Sequence, residues 1–341
     1  MTDAVIECRN VWKIFGQKSK DAQKAVNERG LSKKNILAEY GCVVAVADVS
    51  FTVGRGEIFC IMGLSGSGKS TLVRHLNRLV EPTAGIIRVA GQDVNALDGP
   101  QLRQLRSQSV GMVFQNMALL PHRSVIDNVA LSLELRGMSR QQRHDIAMEK
   151  LGLVSLDGWS DRFPEELSGG MKQRVGLARA MAADPEILLM DEPFSALDPL
   201  IRRQLQEQFL DLSKELKKTT VFITHDLEES IRLGTHIAIM KDGRFVQVGT
   251  AEEIVTAPVD DYVADFVKGI SRLELVSAGK VMRPIVDGQV PNLSGPSVLS
   301  TDKLSKLLQI AKEHDGVITV SDGERPIGTI SRYDLLNAVS G

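Results

Sequence analysis

Apolar and polar residues alternate along "AVIECRNVWKIF" at 4–15, and a period of two predicts a strand. Residues 17–39, "QKSKDAQKAVNERGLSKKNILAE", break the alternation. They are polar, rich in Lys, Ala and Glu, and helically spaced in two pieces around Gly30, which predicts a solvated helical insertion. "CVVAVADVSFTV" and "GEIFCIMG" return to strand character, bounded by Gly54 and Gly56. "LVRHLNRL" at 72–79 reads as an amphipathic helix, and 116–180 is mostly helical in pattern. "EILLMDE" and "TVFITHD" are short apolar runs, each followed by a helical stretch, "RRQLQEQFLDLSKELKK" and "LEESIRLG". Strands alternating with helices predict a parallel sheet flanked by helices. The block 116–180 is then a helical subdomain inserted into that sheet.

The character changes after about 275. In "STDKLSKLLQIAKEH", Leu304, Leu307, Leu308 and Ala311 share one helical face, with Ser300 or Thr301 as the expected N-cap. "GVITV", a turn at "SDGERP" and "IGTIS" predict a strand pair, and "YDLLNAV" a second helix. The expected division is 1–275 and a smaller module at 276–341.

The 341 residues carry a net charge of -2, which gives no general pull toward nucleic acid or anionic lipid. Aromatic residues are 4% of the chain, too sparse for a base-stacking surface, so no nucleic-acid partner is expected. Cys8, Cys42 and Cys60 have no metal-ligand spacing, and Cys60 in "IFCIM" reads as a buried apolar residue. "MTDAVIECRN" lacks the apolar core of a signal peptide, and no run nears the ~20 apolar residues that span a bilayer. A cytosolic protein is expected, with any membrane role reached through a partner.

"GLSGSGKS" at 63–70 matches G-x-x-x-x-G-K-[ST] between an apolar strand and an amphipathic helix, the context this phosphate-binding loop requires. Gly63, Gly66 and Gly68 let backbone N–H groups turn toward phosphate oxygens, with Ser65 and Thr71 in the same stretch. Lys69 is placed to reach the β- and γ-phosphates, and Ser70 to offer its hydroxyl to Mg²⁺. "ILLMDE" brings Asp191 to a strand end, where it can hold the Mg²⁺ shell, with Glu192 beside it to polarise an attacking water. "TVFITHD" ends another strand at His225, suited to the γ-phosphate or to a purely structural contact.

Taken in order, "GLSGSGKS", Gln115 in "GMVFQ", "LSGGM" at 167–171, "ILLMDE", "SALD" at 195–198 and His225 make the chain resemble the ABC transporter ATPases over roughly 4–255. The resemblance implies an α/β P-loop NTPase fold with an inserted helical subdomain. ATP and Mg²⁺ are its implied cofactors, with Gln115 beside Ser70 and Asp191 at the metal. It also implies a head-to-tail homodimer in which Ser168, Gly169 and Gly170 serve the nucleotide held by the partner's P-loop, with Asp198 of the D-loop among the nucleotide-binding residues. Physically, a serine hydroxyl and glycine amides at the start of "MKQRVGLARAMAA" suit an anion. Met171 departs from the family's usual glutamine. The family stacks adenine on an aromatic ring, for which Tyr40 and Phe15 both fit, Tyr40 having the better spacing to the following strand.

The insertion, the "LSGGMKQR" variant and the C-terminal module together resemble the quaternary-amine uptake branch, importers of glycine betaine, proline betaine or choline. That implies a permease, a periplasmic or lipid-anchored solute-binding protein, and a peripheral location on the cytoplasmic face of a bacterial plasma membrane. Met117, Leu119 and Leu120 lie where the family forms a groove for a helix of the membrane subunit. Residues 276–341 resemble a single CBS motif, a small α+β module. In it "GTISRYD" nominates Ser331 and Asp334 for the ribose of an adenine nucleotide, or equally as a helix-capping pair. The rival reading is a soluble ABC ATPase of DNA repair or the ribosome, which the single cassette and the lack of heptads and of a basic stripe disfavour.

Overall fold

The alternation at 4–15 becomes strand β1 (Ala4–Phe15), which pairs antiparallel with β2 (Val43–Gly54) from Ala4 opposite Gly54 to Phe15 opposite Val43. The computed structural model describes residues 4–115, 118–285, 295–323 and 325–340. Its contacts divide the chain into two compact units, 1–248 and 249–341.

Between β1 and β2 the helices Ser19–Arg29 and Lys33–Tyr40 form, broken where expected at Gly30, whose φ of 60° lets its N–H close the first helix on Val26 O. The insertion is less solvated than its composition implies. Ala22, Ala25 and Ile36 are buried against Trp12, Ile14, Cys42, Val44 and Ala47. Alanines three apart make a stripe too small to register against so many charges, yet wide enough for two helices to lie on a sheet.

The first unit continues with β3 (Ile58–Met62), β4 (Ala84–Val89), β5 (Gln92–Asp93), β6 (Val110–Val113), β7 (Ile187–Asp191), β8 (Thr219–Thr224), β9 (His236–Lys241) and β10 (Arg244–Gly249). One sheet has the order β2-β1-β4-β5 and the other β10-β9-β3-β8-β7-β6. In the second sheet β9, β3, β8, β7 and β6 run parallel. β3, β7 and β8 are buried along their whole length, which is why they read as continuous apolar runs. The core joins Ile6, Val49 and Ile87 to Phe59, Ile61, Leu72, Leu189 and Ile223. Each such buried side chain contributes roughly 1.5–3 kcal/mol.

β6 and β7 are direct neighbours, with Val110 opposite Ile187. The intervening chain is therefore an excursion from the sheet, as expected. It holds the helices Val125–Val129, Leu131–Leu135, Arg140–Leu153 and Gly169–Ala182. All three cysteines are buried and free. Among the described residues no helix is long and apolar enough to cross a membrane.

The second unit begins earlier than the sequence boundary near 275. Glu252, in the helix Ala251–Thr256, accepts hydrogen bonds from both the amide and the hydroxyl of Ser277 at 2.7 Å. Its strands β11 (Arg283–Pro284), β12 (Ser297–Leu299), β13 (Ile318–Asp322) and β14 (Arg325–Ile330) lie in the order β11-β14-β13-β12. Val276, Val298, Leu304, Leu307, Val320, Ile330 and Leu335 form its own core. The helix Leu304–Glu313 carries the expected apolar face, but neither Ser300 nor Thr301 caps it. Lys303 occupies that position with no side-chain cap, while the Asp302 carboxylate is taken by Leu299 N and Lys306.

Candidate functional site

β3 ends at Met62, and the loop that follows is shaped by three glycines at positive φ: Gly63 at 148°, Gly66 at 77° and Gly68 at 109°. A Cβ on Gly63 would lie 2.1 Å from Met240 O, and one on Gly68 would lie 2.1 Å from Ala45 O. Only glycine lets the loop lie this close to β9 and β2. The helix Lys69–Leu76 starts at Gly68, so its unpaired first-turn N–H groups and the positive end of its dipole sit at the loop. Its last residue is Leu76 rather than Leu79.

Ser65 and Gly66 are exposed, and Thr71 is half-buried in the helix's first turn. Lys69 is 5% exposed, and its ammonium donates to Gly63 O at 2.7 Å and Leu64 O at 3.0 Å. Burial pushes its pKa down while the charges of Glu192 and Asp191 oppose that. Ser67 Oγ is buried without a hydrogen-bond partner. A positively charged side chain, a helix N-terminus and an orphaned hydroxyl around one glycine-shaped loop fit a polyphosphate.

The ends of β7 and β8 complete the site. Ser70 Oγ donates to Asp191 Oδ1 at 2.8 Å, and Asp191 is fully buried. The other Asp191 oxygen lies 3.3 Å from Arg74, a partner the sequence motif does not announce. A hydroxyl and a carboxylate side by side are the hard oxygen donors Mg²⁺ takes alongside phosphate. Glu192, the next residue, has φ 49°, an uncommon conformation for a non-glycine residue. Its Oε2 lies 3.5 Å from Gln115 Nε2 and 3.3 Å from His225 Nδ1. Gln115, Glu192 and His225, drawn from three separate strand ends, therefore meet at one carboxylate.

Ser168 caps the helix Gly169–Ala182, accepting from Met171 N at 3.2 Å, and Ser168 and Gly169 are exposed. Gly170 lies against Leu197, where a Cβ would come within 3.0 Å of Cδ2. Asp198 is exposed and caps the helix Pro199–Leu216 through Ile201 N at 3.1 Å.

The two aromatic candidates differ in setting. Tyr40 packs onto the insertion's core, with its hydroxyl 3.4 Å from Arg29. Phe15 is 44% exposed, with Lys13 Nζ 4.8 Å from its ring centroid. It pairs with Val43, two residues before the Ala45 carbonyl that lies against Gly68.

In the second unit, Asp334 accepts from Ser331 N at 2.9 Å and Ser331 Oγ at 2.6 Å, and Arg283 binds its other oxygen at 2.7 Å. This is the capping arrangement. Leu119 and Leu120 are half-buried, and Met117 lies outside the described residues. Nearby, a groove of about 330 Å³ is lined by Phe114, Met112, Leu131, Leu135 and Arg179.

A family model described as ABC transporter matches residues 46–195. The chain is 46% identical to a glycine betaine transport ATP-binding protein of Bacillus subtilis, over 97% of this chain and 80% of that one. It is 48% identical to a trimethylamine N-oxide transport ATP-binding protein of Ruegeria pomeroyi, over 99% of this chain and 97% of that one. A dimeric ATP-binding cassette solved in a post-hydrolysis state with ADP and Pi superimposes with a TM-score of 0.63 at 30% identity, over 72% of this chain and 98% of that one. With nearly its whole length aligned to such relatives, and with its P-loop built as described, the chain belongs to the ABC transporter ATP-binding proteins, in the branch that holds the glycine betaine and trimethylamine N-oxide transport subunits.

Proposed function

We propose that the chain hydrolyses ATP to drive an importer for a small solute with a methylated nitrogen, such as glycine betaine, choline or trimethylamine N-oxide. The meeting of Gln115, Glu192 and His225 beside the Ser70–Asp191 pair carries this reading. Glu192 is the general base that polarises water, and His225 and Gln115 orient it from two sides. Lys69, Gly63, Gly66 and Gly68 hold the phosphates, with Ser65 inside the loop and Thr71 in the first turn of the helix after it. Mg²⁺, held by Ser70, Asp191 and Gln115, would neutralise phosphate charge. The exposed ring of Phe15, beside the strand that borders the loop, is the better adenine platform. Tyr40, favoured by spacing, is already engaged by the insertion.

Ser168, Gly169, Gly170 and Asp198 serve the nucleotide of a second copy. Support comes from the exposure of Ser168 and Gly169 and from the dimeric state of the related cassette. The groove at Leu131 and Leu135 suits a helix of a permease, and a solute-binding protein would set selectivity from outside. The chain then lies on the cytoplasmic face of the membrane without entering it. We take residues 276–341 as a CBS-like module in which Ser331 and Asp334 cap a helix, because the Asp334 carboxylate is already shared between Ser331 and Arg283. Trimethylamine N-oxide gains weight because the chain spans 97% of that relative, against 80% of the glycine betaine protein.

The test is ATP hydrolysis by the complex of this chain with its permease and solute-binding protein in vesicles, with each methylated solute added in turn. Stimulation by one of them is expected. No response to any would overturn the solute assignment and leave the ATPase reading to the site variants discussed below.

A further inference from the structure

We infer that Gln173 is a positioning residue for ATP hydrolysis, whose carboxamide holds the backbone of Glu192 and ties the signature turn to it. The inference rests on Glu192 being the general base. Gln173 lies in the helix Gly169–Ala182 and is 2% exposed. Its Nε2 donates to Glu192 O at 3.2 Å, and its Oε1 accepts from Ala196 N at 3.2 Å. One side-chain amide thus bridges both ends of the 192–196 turn.

The turn is held at other points as well, with Arg202 donating to Phe194 O at 3.2 Å. Ser195 Oγ also donates to Glu192 O at 3.0 Å, and Glu192 N donates to Ile223 O at 3.1 Å. Glu192 keeps its positive φ inside this frame, and that φ aims its carboxylate at Gln115 and His225. Strained conformations of this kind persist only when their surroundings over-determine them. Gln173 adds a constraint from outside the turn that reaches both of its ends.

The same helix begins with Ser168, Gly169 and Gly170, and Gly170 rests against Leu197. A displacement of the signature turn therefore reaches the Glu192 carbonyl through two contacts, one steric and one hydrogen-bonded. Where the signature engages a partner's nucleotide, Gln173 carries that event to the chain's own catalytic carboxylate.

The test uses the full transporter complex. Gln173→Met keeps an unbranched side chain of similar size and removes both hydrogen bonds. The expected result is a kcat lowered about 10- to 100-fold, the scale on which small misplacements of a catalytic group act, with KM for ATP unchanged. In a Glu192→Gln background, single-turnover rates should show no further loss from Gln173→Met, because both changes act through one group. Gln173→Glu covers the case in which the methionine variant fails to fold. It keeps the acceptor for Ala196 N but has a donor only when protonated, and burial raises its pKa. Its kcat relative to the parent should rise as pH falls. A parental kcat for Gln173→Met, a full extra loss in the Glu192→Gln background, or a flat pH ratio for Gln173→Glu would each overturn the inference. A Glu192→Gln variant that turns over at the parental rate would instead remove the general-base reading and the inference with it.

Discussion

His225 Nδ1 lies 3.3 Å from Glu192 Oε2, although the two residues close different strands of the parallel sheet. Parallel strands deliver their carboxyl ends to one edge, so β7 and β8 bring acid and imidazole together without a long loop.

Glu192→Gln keeps the size of the side chain but cannot take a proton. Hydrolysis should fall roughly 10²–10⁴-fold, the usual contribution of a general base. ATP should stay bound, and the dimer should persist. Radiolabelled nucleotide retained through gel filtration checks this, and a turnover rate near the parental one would remove Glu192 from the role.

Lys69→Ala should act on binding. The lost ammonium is a charge-assisted donor worth about 1.5–3 kcal/mol, or roughly 10- to 150-fold in Kd for ATP. It also removes the ammonium from Gly63 O and Leu64 O, leaving Leu64 O with Ser67 N alone, so the loop should lose order. Equilibrium titration with a fluorescent ATP analogue measures the change.

The signature should work across the dimer. A chain with Lys69→Ala, mixed with one bearing Ser168→Arg, gives a dimer in which one composite site has both lesions and the other has neither. Its ATPase activity should exceed that of either homodimer. Mixed dimers no more active than the homodimers would mean that the signature serves its own chain or that both sites must be intact.

Stability should fall in mild acid because of His75. The ring is buried, Nδ1 bonds Val80 O at 2.6 Å, and burial, aided by Lys13, drives its pKa down to about 4. A depressed histidine pKa means that the unfolded chain binds the proton more tightly. The contribution is therefore fully present above about pH 6.5 and is lost as pH falls toward 4, up to about 3 kcal/mol. Urea unfolding followed by the fluorescence of Trp12 and Trp159, both in the first unit, should show the loss. In His75→Gln the slope across that window should flatten.

The sequence made the phosphate loop, the Asp191–Glu192 pair and His225 legible, because each sits where an unbroken apolar run stops. It left β4, β6, β9 and β10 unread. Val110–Val113 is only four residues long, and β10 is mostly half-exposed, so neither gives a run or a clean alternation. Arg74 and Gln173 escaped for a different reason. Both lie about a turn beyond the motif residues that open their helices, and only the packing shows that each touches an acid or its backbone. Spacing along the chain favours Tyr40 over Phe15, and we propose the reverse order because Tyr40 is engaged by the insertion.

That insertion has a consequence for how the molecule assembles and varies. Phe15 and Val43 are opposite each other in the sheet, so residues 16–42 form an overgrown hairpin connection. Loop-closure entropy grows only logarithmically, and lengthening such a connection from ~4 to ~27 residues adds only about 2 kcal/mol. The buried residues clustered with Ala22, Ala25 and Ile36 all fall within the 12–47 stretch. Their contacts can form early, among sequence neighbours, before the distant strands of the parallel sheet find one another. Helices of other lengths and charges could be exchanged at this position with little penalty to the cassette, leaving it open as a place for new surface to evolve.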